Sequence, residues 1–205
     1  MPNYADINGR PMKKLQIQQY LRKLQLNDFE PAVNLATLTK LQDAHLKYIP
    51  YENFDSLNGK ITSLKRQDMF NKVIMHNRGG ICFELNGLYN WLLESLGFEV
   101  TSYAARFIDK METYQLRRHR VMCVALGEKR YLTDVGVNSE SPRVPLEITE
   151  GLIQSDGISQ YKFTRSEFWG WLLWQKECGK IWKRLFGFTE EPQIDKDFIT
   201  ASFWC

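Results

Sequence analysis

This chain has few of the residues that staple or bridge a fold: its 205 residues include four cysteines, three histidines and seven prolines. Cys82, Cys123, Cys178 and Cys205 are widely spaced with no Cys-x-x-Cys pair. That argues against a zinc site or a disulfide framework and leaves free thiols. No apolar run approaches the roughly 18 residues of a membrane span. The opening Met1-Pro2-Asn3-Tyr4-Ala5-Asp6 has neither the basic start nor the apolar core of a secretory leader. The expectation is a cytoplasmic protein with no membrane partner. A surplus of one charge is missing too: 27 Lys+Arg against 24 Asp+Glu leave +3, too slight to signal a nucleic-acid partner but compatible with an anionic small molecule. There is no internal repeat and no low-complexity tract, which excludes solenoids and linker-joined arrays.

What is present is a globular composition, 43% hydrophobic and 25% charged. At this length folding removes roughly 70% of the extended-chain surface from water, enough for a core without staples. The apolar period divides the chain. Between Pro11 and Asn77 the spacing is helical: Leu15, Ile17, Tyr20, Leu21 and Leu24 form one stripe, Leu35, Leu38, Leu41 and Leu46 a second, and Leu64, Met69, Phe70, Val73 and Ile74 a third. A fourth helix is expected from Cys82 to Leu96, with Gly97 as its stop. Beyond it the alternation predicts strands at 98–107, 120–126, 131–137 and 160–164, with Gly127-Glu128 as a hairpin turn. The run from Phe168 to Trp174 fits either a strand or a helix, and four of the six tryptophans crowd between Trp169 and Trp182. The fold class is α+β, divided near residue 97.

The chemistry concentrates in Arg78-Gly79-Gly80-Ile81-Cys82-Phe83-Glu84-Leu85-Asn86. A cysteine opening a helix sits at the positive end of the dipole among unpaired N–H groups, which favours the thiolate. Glycines beside it allow close approach of a substrate, and the local N–H groups suit an oxyanion. A lone buried cysteine is also ordinary packing, and Cys123, inside an apolar strand, fits packing better. A thiol nucleophile needs a base. His45 and His76 sit among polar neighbours and are expected on the surface, whereas His119 enters a strand. With Gly127-Glu128 as a two-residue turn, Asp134 on the returning strand lies opposite Val121 and diagonal to His119, a separation of roughly 7 Å. Arg118 and Arg120 alternate to the other face. A structural strand pair explains His119 and Asp134 equally well in isolation. The chain order Cys82, His119, Asp134 is papain-like and suits thiol acyl transfer.

Three segments, Ile49-Pro50-Tyr51-Glu52-Asn53-Phe54-Asp55, then Arg78 to Asn86, then Asp134-Val135-Gly136, resemble the signature segments of arylamine N-acetyltransferases. The resemblance covers most of the first 150 residues. It implies a papain-like (cysteine proteinase-like) fold with a helical domain over 1–97 carrying the cysteine, a β-barrel domain over 98–190 carrying His and Asp, and an incomplete third α/β domain over 191–205. It implies a triad of Cys82, His119 and Asp134. It further implies ping-pong acetyl transfer from acetyl-CoA, through an acetyl-cysteine thioester and without a metal, to an arylamine, hydrazine or N-hydroxyarylamine, as in xenobiotic metabolism. Tyr51, Phe83 and Val137 match the family's substrate contacts, and Gly136, Asn138 and Arg143 its CoA loop. Glu52 and Arg78 match a buried structural pair. The sequence departs from the family in two places. Val137 replaces an aromatic and Glu140 adds negative charge near the CoA loop, while the motif at Asp197-Phe198 stops at Cys205. Two other readings stay open: a papain-like thiol hydrolase, and a shortened, catalytically weak paralogue that binds or self-associates through uncovered aromatic surface.

Overall fold

The structure is a computed structural model and describes residues 9–108, 115–137 and 140–203. Helices α1 (Lys14–Lys23) and α2 (Leu35–Tyr48), the single turn α3 (Phe54–Leu57), α4 (Arg66–Phe70) and α5 (Cys82–Ser95) come first. Eight strands follow: β1 (Glu99–Phe107), β2 (His119–Leu126), β3 (Lys129–Thr133), β4 (Leu146–Glu147), β5 (Gln154–Ser155), β6 (Ser159–Ser166), β7 (Gly170–Glu177) and β8 (Lys183–Gln193). A 3-10 turn at Asp195–Asp197 leads into α6 (Phe198–Ser202). Helix α2 starts where Asn34 accepts the Thr37 N–H at 2.8 Å, satisfying a donor the helix leaves unpaired. Helix α4 runs into a π-turn, Asn71–Met75, an element rare enough to be associated with function.

The strands form one antiparallel sheet in the order β4-β3-β2-β1-β8-β7-β6-β5, nearly closed into a barrel. The ends β4 and β5 face each other across a seam. Gln154 spans it with its side chain, accepting the Glu147 N–H at 2.7 Å and donating to the Glu147 carbonyl at 2.9 Å.

Strand β2 shows how the core divides. Val121 and Cys123 point into the barrel with Leu132, Phe163 and Phe186, while Met122 and Val124 point the other way, into the helices with Leu38, Leu85 and Leu92. The strand separates two cores, which is why its sequence is continuously apolar rather than alternating. Cys123 is packing: burial pushes its thiol up to about 11.

Four sequence expectations change. The run at 168–174 is the β6–β7 turn and β7; Gly170 adopts φ +73°, which breaks any helical continuation. Trp171 packs inside the barrel, and Trp169, Trp174 and Trp182 are half-buried beneath Arg106, Lys162 and Arg184 rather than uncovered. Strand β3 stops at Thr133, so Asp134 to Val137 lie beyond the ladder and are held by side chains of α5 and their own loop. His45 is fully buried between Tyr20 and Tyr89, ring centroids 6.0 and 5.3 Å away. Its polar sequence neighbours concealed that it follows Leu38 and Leu41 on the inward stripe of α2.

Neither ring nitrogen of His45 has a hydrogen-bond partner among the described residues. Burial accordingly holds its imidazole down to about 3. In the unfolded chain it protonates near 6.5. Between these values the unfolded state binds the extra proton, so acidification from pH 6.5 toward 3 removes stability, by up to about 1.4 kcal/mol per pH unit. Urea unfolding of a His45→Leu variant across that window should show a shallower acid decline than the parent. An identical slope would refute the assignment.

Candidate active site

The site is built on the first turn of α5. The backbone leading into it is packed too tightly for side chains: a Cβ on Gly79 would stand 2.0 Å from the Pro50 carbonyl oxygen. Tyr51 and Gly80 make a parallel bridge, and the Glu52 N–H donates to the Gly80 carbonyl at 3.0 Å. This pairing ties the Pro50-Tyr51-Glu52 segment to the glycines. One turn into the helix, the Glu84 carboxylate reaches back and accepts the Ile81 N–H at 2.9 Å.

Cys82 is then the first residue of α5, 5% exposed, its Sγ donating to the Arg118 carbonyl at 3.6 Å. That carbonyl immediately precedes His119, the first residue of β2. His119 is wholly buried, with Phe107 and Phe186 at ring-centroid distances of 5.1 and 5.4 Å. Its Nε2 lies 2.6 Å from Asp134 Oδ2, while Nδ1 has no hydrogen-bond partner among the described residues. The other Asp134 oxygen accepts from Asn86 Nδ2 and from the Gly136 N–H, both at 2.8 Å. A carboxylate surrounded by donors takes the Nε2 proton as a third donor, which leaves Nδ1 as the lone-pair nitrogen.

The hairpin register places the pair as the two-residue turn requires: Leu126 pairs with Lys129 and Met122 with Thr133, so Asp134 follows opposite Val121. Alternation also holds. Arg120 faces away from His119, toward α5, where its guanidinium pairs with Asp195 at 2.9 Å and lies 4.8 Å from the Phe198 ring.

Asn86 is the residue that sequence reasoning passed over. Fully buried and one turn beyond Cys82, it donates to Asp134 and to the Arg120 carbonyl (2.6 Å) and accepts the Val135 N–H (2.9 Å). Its signal was the four-residue offset from Cys82, which puts both on one helix face. Gly136 closes the contact: a Cβ there would stand 2.8 Å from Cys82 Cα and 2.9 Å from Asn86 Nδ2.

The remaining sequence-derived positions scatter. Phe83 is fully buried, its ring 5.7 Å from Phe198, in a small cluster with Ile81 and Cys82. Tyr51 is 38% exposed. Val137 packs with the barrel core instead of with Phe83. Arg143 lines a groove with Leu35, Lys40 and Asp43 of α2, remote in composition from the Cys82 cluster. Asn138 lies outside the described residues. Glu140 is not a bare charge, since Lys183 pairs with it. Glu52 and Arg78 do pair, at 2.7 Å, but the Arg78 side chain is 40% exposed and only Glu52 is enclosed.

A profile of the N-acetyltransferase family matches residues 34–205. The arylamine N-acetyltransferase of Mycolicibacterium smegmatis is 34% identical over 191 residues, covering 90% of this chain and 68% of that protein. This chain belongs to the arylamine N-acetyltransferase family. The Escherichia coli arylamine N-acetyltransferase is 31% identical over 174 residues, 84% of this chain and 61% of that protein, so the chain spans about three-fifths of that relative's length. The solved arylamine N-acetyltransferase of Mycobacterium marinum in complex with CoA superposes with a TM-score of 0.83 at 26% identity, over 92% of this chain and 70% of that one. The family fold is thus shared by the helices and the sheet alike. Among the described residues no cluster of His, Cys, Asp and Glu has the form of a metal site.

Asn86→Ala removes one donor from Asp134 and leaves the Arg120 carbonyl and Val135 N–H unpaired in the core. A loss of about 2–4 kcal/mol in urea unfolding is expected. A loss below about 0.5 kcal/mol would mean that Asp134 is held by something other than this amide.

Proposed function

We propose that this protein transfers an acetyl group from acetyl-CoA to an arylamine, hydrazine or N-hydroxyarylamine through an acetyl thioester on Cys82. The observation that carries the reading is the buried His119–Asp134 contact at 2.6 Å, with the opposite imidazole nitrogen unpaired among the described residues, on the strand whose preceding carbonyl meets the Cys82 thiol. A nucleophile at a helix N-terminus, a base and an orienting carboxylate are what thiol acyl transfer requires. The family's name and the CoA held by the Mycobacterium marinum protein supply the acyl donor and the acceptor class.

In this reading His119 takes the Cys82 proton at Nδ1 and Asp134 stabilises the resulting imidazolium. The Cys82 thiolate attacks the acetyl carbonyl carbon, the carbon–sulfur bond to CoA breaks, and the departing thiolate takes the proton from His119. An amine then attacks the Cys82 thioester. His119 receives the amine proton, the Cys82 carbon–sulfur bond breaks, and the N-acetyl amine leaves. Backbone N–H groups at the positive end of the α5 dipole stabilise the oxyanion of each step. Glu140, in the loop after Asp134, is paired with Lys183, which lessens its opposition to an anionic carrier. Phe83 is fully buried against Phe198 of α6 and so forms part of the packing behind Cys82.

Incubation with acetyl-CoA should add one acetyl group to the Cys82 peptide, read by mass, and subsequent arylamine should remove it as N-acetyl amine. Cys82→Ser should abolish both steps. Asp134→Asn should slow acetylation by roughly 10²–10⁴-fold. Acetylation at another residue, or hydrolysis of p-nitrophenyl acetate with no amine product, would overturn the transferase assignment, the second result in favour of a thiol hydrolase.

A further inference from the structure

Glu84 occupies a costly position. It is 2% exposed, two residues after Cys82 in the same first turn, and its carboxylate caps the Ile81 N–H. A negative charge there suits the helix dipole. The same charge disfavours a thiolate two residues away. The cap and the nucleophile therefore make opposite electrostatic demands on one helical turn.

Lys72 meets both. Its Nζ lies 2.8 and 3.1 Å from the two Glu84 oxygens, delivered by the π-turn that follows α4. The other charges facing this group are Glu52 and Asp55, from α3 and the segment before it, and Arg78, ahead of α5. Arg78 reaches Glu52 at 2.7 Å and Asp55 at 3.3 Å, and Lys72 reaches Asp55 at 2.9 Å and Glu52 at 3.8 Å. Among the described residues only Lys72 pairs with Glu84. Burial pushes the Glu84 carboxyl up, against the pull of Lys72 and the Ile81 N–H, and the Lys72 ammonium is held up by Asp55 and Glu84 in spite of its own burial. On the side of β2 and the loop after β3, the titratable groups packed on this end of α5 are Arg118, His119 and Asp134.

We propose that Lys72 is a positioning residue for the Cys82 thiol: by neutralising Glu84 it lets that carboxylate fix the Ile81–Cys82 backbone without opposing the negative charge on sulfur. The proposal rests on Cys82 being the reactive thiol. It goes beyond that reading by assigning the control of its reactivity to an ion pair on the opposite side of the helix turn from His119.

The test is the pH dependence of iodoacetamide alkylation at Cys82, followed on its peptide by mass, which needs no acetyl transfer. One uncompensated charge about 10 Å from a titrating group, in an effective dielectric of about 20, shifts its titration by about one pH unit. Lys72→Met should therefore raise the alkylation midpoint by about one unit, a roughly ten-fold slower reaction below the midpoint. Lys72→Arg should keep the parental midpoint. The double variant Lys72→Met/Glu84→Gln should restore it, because the amide oxygen still caps Ile81 without a charge. Where Lys72→Met fails to fold, Glu84→Gln alone reads the same coupling and should lower the midpoint. An unchanged midpoint in folded Lys72→Met, or in Glu84→Gln, overturns the proposal even if thermal stability changes. A parental midpoint at the ordinary thiol value, or faster alkylation elsewhere, instead removes the premise that Cys82 is the reactive thiol.

Discussion

A carboxylate removed from water must be surrounded by donors, and Asp134 is surrounded by donors from three places. It is 1% exposed, and its partners are an imidazole of β2, an amide of α5 and a backbone N–H of its own loop. Leaving it unpaired would cost several kcal/mol. That requirement fixes the distance between helix and sheet, because the three donors converge only when α5 lies against the start of β2. The placement of Cys82 beside the Arg118 carbonyl follows from the same geometry. What looks like the arrangement of a reactive site is also the way this end of the molecule buries the Asp134 charge.

Further polar contacts extend the constraint outward. Gln42 of α2 donates to the Pro142 carbonyl at 2.6 Å and accepts from Thr133, the residue before Asp134, at 2.5 Å. On the far side, Asp195 is shared by Arg66 and Arg120, which pins the segment leading to α6 and brings Phe198 onto Phe83. Neighbouring residues of β2 thus serve different walls, His119 the barrel interior and Arg120 the helix side. Each of these buried polar groups is coupled to a partner far away in sequence, which makes the packing cooperative.

This long-range coupling separates what could be read from the sequence from what could not. The register of the β2–β3 hairpin was legible, because a two-residue turn leaves one pairing and alternation does the rest, but the end of its second strand at Thr133 was not, since apolar residues recur through Val137. Helix α5 was legible from its apolar content and from Gly97. Asn86 lies in a recognisable motif, yet its role depends on an acceptor, a donor and a carbonyl that are 34 to 49 positions away. His45 was misread because apolar periodicity passes over a polar residue on a buried stripe. The run around Trp171 was ambiguous for a related reason, since a strand covered on both faces carries no alternation. The pairing of β1 with β8, as in Ala105 with Phe188, brings together strands with most of the sheet between them in sequence, and no local pattern announces it.

The seam between β4 and β5 has a different character from the rest of the barrel. Elsewhere neighbouring strands hold each other by backbone ladders of up to eight residue pairs. At the seam two hydrogen bonds from the Gln154 amide do the work of a ladder. A side-chain clasp of this kind opens by rotation about single bonds, without melting a strand on either side. The barrel therefore closes on a hem, a side-chain clasp backed by the Glu150–Phe163 bridge and by the Gly151 N–H donating to the Phe163 carbonyl at 2.9 Å, where the sheet has fewer backbone hydrogen bonds to break than anywhere in β6 and β7.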